Sequence, residues 1–215
     1  MIRLPRELLW IGLFWTTTLM ATEEPKFETL RKDGKIEIRR YAPLIVAETW
    51  VDGDMASASG TGFRRIASYI FGDNAQIAMT VPVVAEPQQR AEKIAMTTPV
   101  TIEPQLDDIS SFASARRWRI HFVMPSQYTL VTLPKPLNAE VQLREIPARI
   151  FAALTYSGTT NEVTAQEKST ELLNWLRAQQ IETIGSPQLA RYNPPWTLPF
   201  LRRNENLQEI RFTAP

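Results

Sequence analysis

The chain carries an internal repeat that limits its fold more than any other feature. At an offset of 105 residues, without a gap, Ile36 aligns with Val141, Ile38 with Leu143, Arg39 with Arg144 and Ile45 with Ile150, and the match runs on through Ala47 with Ala152 to Gly53 with Gly158. Each copy reads as a strand, a corner marked by Pro43 or Pro147, a second strand and a glycine turn into a helix. A duplicated β-β-α unit follows. The helical segments are expected at 59–71, where Phe63, Ile66, Ala67 and Ile70 recur at helical spacing before Gly72, and at 162–178, opened by the capping-box pattern Thr159-x-x-Glu162. Further strands are expected at 77–84, 93–102, 118–124, 189–192 and 207–212. The fold class is therefore α+β: duplicated β-β-α units forming a curved antiparallel sheet or barrel, with two helices packed outside.

Composition narrows the function classes. With 24 Lys and Arg against 23 Asp and Glu the formal charge is +1, too balanced for nucleic acid or an acidic membrane face as the main partner. There is no cysteine and one histidine, so thiol nucleophiles, disulfides and thiolate metal sites are excluded. Nucleotide-binding glycine loops, the Gly-x-Ser-x-Gly elbow and the His-Glu-x-x-His helix are all missing, and a binding protein is the simpler account. At the N-terminus, Arg3 and Arg6 precede the apolar run 8–20, with Ala21 at a small-residue cleavage position. Residues 1–21 thus read as a signal peptide, favoured over an N-terminal membrane anchor because the run is short of the ~20 apolar residues of a spanning helix. Residues 22–215 form one domain, exported and periplasmic, or membrane-anchored if the leader stays.

Two near-copies, Ile77-Ala78-Met79-Thr80-Val81-Pro82-Val83 and Ile94-Ala95-Met96-Thr97-Thr98-Pro99-Val100, stand 17 residues apart and predict a hairpin whose methionines line a groove. Near the C-terminus, Tyr192-Asn193-Pro194-Pro195-Trp196 and Pro199-Phe200 make a rigid apolar lip before Arg202-Arg203-Asn204-Glu205. These segments, with Tyr69-Ile70-Phe71-Gly72-Asp73-Asn74 and Phe122-Val123-Met124-Pro125, resemble the SOUL haem-binding family, in order and over most of the chain after residue 26. The resemblance implies binding of haem or another tetrapyrrole in a shallow apolar groove, bordered here by Arg64, Arg65, Ile66, Tyr69, Met79 and Trp196, with Arg64 or Arg65 supplying the propionate contact. It implies haem as ligand rather than catalytic cofactor, and a monomeric carrier or buffer. Iron removal from haem, and a general effector-binding module for apolar small molecules, stay open as alternatives.

His121 is the single candidate nitrogen ligand for iron. Strand parity places Trp118, Ile120, Phe122 and Met124 on one face and Arg119, His121 and Val123 on the other, so His121 is expected to point outward, and a structural role is favoured over iron ligation. Asp107 and Asp108 read as solvated loop residues.

Overall fold

The computed structural model describes residues 22–75, 91–105 and 112–213. Nine strands form one antiparallel sheet: β1 (Phe27–Asp33), β2 (Ile36–Tyr41), β3 (Leu44–Asp52), β5 (Val100–Pro104), β6 (Arg117–Val123), β8 (Gln142–Ile146), β9 (Arg149–Ser157), β10 (Glu182–Arg191) and β11 (Arg203–Arg211). Two-residue strands β4 (Asn74–Ala75) and β7 (Lys135–Pro136) pair separately. The order across the sheet is β1-β2-β9-β11-β10-β5-β6-β3-β8. The segments aligned by the 105-residue offset thus pair across it: β2 with β9, and β8 with β3. The sheet stays open, with β1 and β8 as its edges, so the closed form left possible by the sequence does not arise. Charged residues such as Arg31, Lys32 and Asp33 on β1 and Arg144 and Glu145 on β8 suit exposed edges.

Both helices cover one face. Helix α1 (Met55–Phe71) packs on β3 and β6, and α2 (Glu162–Ala178) on β9, β10 and β11. Alternation along the strands supplies the apolar side: Ala47, Val51, Ile102, Trp118, Ile120 and Phe122 meet Met55, Ile66, Tyr69 and Ile70 of α1. Ile36, Ile38, Ala152, Leu154 and Ile210 meet Leu172 and Leu176 of α2. Helix α1 approaches the sheet tightly at Gly62, where an added Cβ would lie 2.7 Å from Ile120.

Helix α1 starts four residues before the predicted boundary because two carboxylates cap it. Asp54 Oδ1 accepts from the Ala56 and Ser57 amides at 3.0 and 2.9 Å. The Met55 amide donates to Glu162 Oε1 at 3.0 Å. That bond also corrects the expected capping box: α2 has the predicted bounds, but Asn161 caps it, accepting from Thr164 N–H at 2.9 Å, while Glu162 serves the neighbouring helix. At the far end of α1, Gly72 adopts the positive φ of 128° that a helix stop needs. The Asn74 amide donates to Tyr69 O and Glu92 O at 2.7 and 2.8 Å, which accounts for the Phe71-Gly72-Asp73-Asn74 motif as a helix terminus. The strand expected at 93–102 begins only at Val100, after Pro99, which lacks the amide a ladder requires. Its expected partner at 77–84, Met79 included, lies outside the described residues, as do Asp107 and Asp108.

On the helix-free face, Glu205 is fully buried and gathers five donor atoms from four residues. Arg39 donates through Nη1 and Nη2 at 2.8 and 3.1 Å, Tyr192 Oη at 2.7 Å, Thr155 Oγ1 at 3.2 Å and Arg203 Nε at 3.2 Å. Burial pushes its pKa up, but the bond and charge of Arg39, the Tyr192 bond and the Arg203 charge prevail and hold it below the ordinary glutamate value.

Two substitutions test this packing. Gly62→Ala forces its methyl into Ile120 and should cost about 1–3 kcal/mol, read as a lower midpoint in urea denaturation. Glu205→Gln leaves the buried Arg39 with Glu37 as its one carboxylate partner and should cost up to about 3–5 kcal/mol, whereas Arg39→Leu combined with Glu205→Leu should cost less than the single change.

Candidate functional site

The residues expected to border a groove on α1 divide between two environments. Arg64 is exposed and, among the described residues, bonds Thr61 Oγ1 alone, at 3.1 Å. Arg65 is half-buried, donating to Trp50 O at 3.1 Å and pairing with Glu140 at 2.8 Å. Ile66 and Tyr69 lie inside the core; the Tyr69 hydroxyl donates to Pro134 O at 2.9 Å, and burial raises its pKa above the usual tyrosine range. The helix therefore presents the two arginines outward and the two apolar partners inward. Phe63, partly exposed, lies beside them and packs its ring on Phe122.

The proline-rich lip leaves a large apolar surface open. Trp196 is 82% exposed, and Leu198, Phe200 and Leu201 are all more than half exposed. The lip is nonetheless held: Arg202 donates to Thr197 O at 2.7 Å and Pro195 O at 2.5 Å, and Gly158 N–H donates to Pro199 O at 3.0 Å. At its base Asn193 Oδ1 accepts from Arg203 N–H, and Asn204 donates to Gly158 O. The Arg-Arg-Asn-Glu segment, expected as a hydrogen-bonded turn, is instead the start of β11: Arg203, Asn204 and Glu205 pair with Ser157, Tyr156 and Thr155 of β9. Arg191, at the foot of the lip, donates to Ser59 Oγ on α1 at 3.3 Å and to Thr160 O at 3.0 Å, tying the lip's base to α1 and to the turn that leads into α2.

His121 lies on the face opposite Trp118, Ile120 and Phe122, as strand parity requires, but it does not reach solvent. It is 6% exposed and faces Glu48 on β3 and Thr101 on β5 in a cleft of the helix-free face. The outward expectation is corrected for a simple reason: this face is itself an interior, roofed by interlocked ion pairs. Arg119 pairs with Glu103, Arg144 with Glu48 and Arg149 with Glu209, at 2.5, 2.7 and 2.8 Å. Phe27, Phe151 and Leu207 supply apolar wall. The residues 22–26 run past this cleft: Glu23 O accepts from Thr98 N–H, and Glu24 pairs with Arg203 at 3.0 Å. Sequence reasoning missed the cleft because its arginines alternate with apolar residues in the pattern of a solvated strand face. The available signal was Arg119, His121 and the repeat-equivalent Arg39 and Arg144 all falling on that one face.

Among the described residues, no group of three His, Asp or Glu side chains is placed to hold a metal ion, and no helix is long and apolar enough to cross a membrane. The model of the SOUL haem-binding protein family matches residues 22–91 and 85–208. The chain belongs to the SOUL haem-binding family. No curated protein is significantly similar to it. Among solved structures it is similar to the C-terminal domain of EcmrR, with 9% identity and a TM-score of 0.59 over 83% of this chain and 98% of that one. It is also similar to an uncharacterized conserved protein from Listeria innocua (10%, 0.56, 82% and 92%) and to a hydrolase from the same organism (12%, 0.53, 84% and 94%). At such identities the likeness is one of fold. The family membership names a binding role and accounts for the motifs, most of which build the scaffold: Asn74 the helix end, Asn193 and Asn204 the lip, Tyr192 and Glu205 the buried network.

Burial, and then the charges of Arg119 and Arg144, push the His121 pKa down from 6.5 to about 3. Between these values the unfolded chain binds a proton that the native state refuses, so stability rises with pH and is lost as pH falls below 6.5. Carboxylates held below their ordinary values, such as Glu205, act only in stronger acid. From pH 6 to pH 5 the wild type should therefore lose up to about 1.4 kcal/mol in urea denaturation, and His121→Phe should show a nearly flat profile there.

Proposed function

We propose that this SOUL-family protein binds haem or another tetrapyrrole reversibly, as a monomeric carrier or buffer in an exported compartment, in a shallow groove between α1 and the proline-rich lip. The observation that carries the reading is the lip itself: a Trp196, Leu198, Phe200 and Leu201 surface open to solvent yet fixed by Arg202 and three prolines. Exposed apolar surface held rigid is characteristic of a site that receives a flat apolar ligand, since little ordering is left for binding to impose. Arg64, whose guanidinium among the described residues bonds Thr61 alone, is available to a propionate. The same reading treats the two halves as copies of one β-β-α unit whose surface features have diverged, so the groove is single and asymmetric.

Magnitudes favour release over permanent retention. Covering about 300 Å² of ligand apolar surface contributes about 7 kcal/mol. Association costs about 4 kcal/mol or more, which leaves the Arg64 contact to bring affinity into a useful range. His121 is buried on the helix-free face and stays out of this groove, so haem is held without a histidine on its iron.

Titrating the full-length chain with haemin should give a saturable Soret change at one equivalent. Trp196→Ala and Arg64→Glu should each weaken binding about tenfold, while His121→Ala should leave the Soret band unmoved. A flat titration at micromolar protein would remove the proposal, and a large shift with His121→Ala would reinstate the histidine as ligand.

A further inference from the structure

The cleft around His121 is built differently from the lip, and its construction points to its own ligand. His121 Nδ1 is buried and has no hydrogen-bond partner, an unusual state in a protein interior. On either side stand two guanidinium groups that the protein uses only in part. Arg119 engages Glu103 through Nε and Nη2 and lies over the Trp50 ring at 5.5 Å, and Arg144 engages Glu48 through the same two nitrogens, which leaves Nη1 of each without a hydrogen-bond partner among the described residues. Their carboxylates are held in place in turn: both Glu48 oxygens accept from Arg144, and Glu103 also accepts from Gln188. The arginines are thus presented to the cleft as fixed donors.

The charges acting on the imidazole give the sign of what belongs there. Arg119, Arg144 and Arg149 line the cleft against Glu24 and Glu103, and Arg119 and Arg144 add to burial in disfavouring protonation of the imidazole, a balance that suits an anion. A neutral imidazole can donate one N–H, and two guanidinium edges complete a set of donors matched to a carboxylate.

Shape supplies the rest. The cleft encloses about 70 Å³, enough for a carboxylate and its first carbons. Through shared walls at Glu24, Pro25, Ala42, Leu44 and Val123 it adjoins a cavity of about 400 Å³, lined by Ile45, Met124, Pro125 and Leu130. That larger cavity carries Glu23, Glu24 and Glu145 against Lys26 alone, so it repels a carboxylate while accepting an alkyl or aryl body. One orientation results, with the acid group at His121 and the apolar body beyond Leu44.

We propose that the helix-free face holds a second binding site, for a medium-chain or arylalkanoic carboxylic acid whose carboxylate is received by His121, Arg119 and Arg144. This site is separate from the lip and does not depend on the haem reading. Because each arginine already has one carboxylate, the added negative charge is only partly compensated, and affinity falls in the range of tens to hundreds of micromolar, the order expected of a metabolite sensor or shuttle.

The single histidine makes the test direct, since the full-length chain labelled with ¹⁵N at histidine shows one imidazole. Octanoate should shift the Nδ1 resonance saturably at one equivalent, while octanol and octylammonium at equal concentration should not. His121→Phe, checked for an intact fold by its thermal melt, should weaken octanoate binding at least tenfold in calorimetry. Saturating octanoate should leave the haemin Soret titration unchanged. The proposal is overturned by an unmoved Nδ1 resonance, by equal shifts with octanol or octylammonium, or by unchanged affinity in His121→Phe. Competition between octanoate and haemin would overturn the separateness of the two sites, whereas failure of the Soret titration alone would count only against the lip.

Discussion

The buried carboxylate of Glu205 is the constraint on which the helix-free face depends. A charge with no access to water must be matched by donors on the spot, and these come from Arg39 on β2, Thr155 on β9, Tyr192 just beyond β10 and Arg203 on β11 itself. One side chain therefore fixes the lateral relation of four strands and the point from which the lip departs. Such a network specifies geometry more than it adds stability, because desolvating the ions offsets most of their attraction. Its value lies in what it excludes: any register slip would break the bidentate Arg39–Glu205 pair between strands and leave each with only its same-strand ionic partner, Glu37 or Arg203.

From that constraint follows a sheet with two unlike interiors. The helix side is closed by ordinary apolar packing, tight enough at Gly62 that a methyl group does not fit against Ile120. The other side is closed by ion pairs spaced across the strands, with His121 among them. A binding protein gains from this division. Apolar packing holds the scaffold rigid, and the polar face keeps fixed donors in a low-dielectric setting where they act strongly on a ligand. The lip adds a third kind of surface, apolar and exposed, and it is rigid because Arg202 satisfies its carbonyl groups.

Much of the scaffold was legible in the sequence. The offset of 105 residues located β2, β3, β8 and β9, and helical periodicity gave α2 its bounds and α1 its end at Gly72. The early start of α1 was hidden because half of its cap comes from Glu162, 107 residues away. The site was less readable. Arg64, Arg65, Ile66 and Tyr69 are neighbours in sequence, but a helix turns 100° per residue and sends the first pair outward and the second into the core.

Local chemistry, then, determined which segments are strands and helices, where glycine stops a helix, and that His121 sits opposite Trp118 and Phe122. Those properties depend on side-chain alternation and backbone freedom within a few residues. Only the tertiary structure decided that β2 pairs with β9 and β8 with β3, that the sheet stays open, and that the polar face of β6 is an interior. These depend on partners far apart in the chain: Glu48 with Arg144, and Arg39 with Glu205. A strand's pattern shows which residues share a face; what covers that face is set by the charges that fold against it.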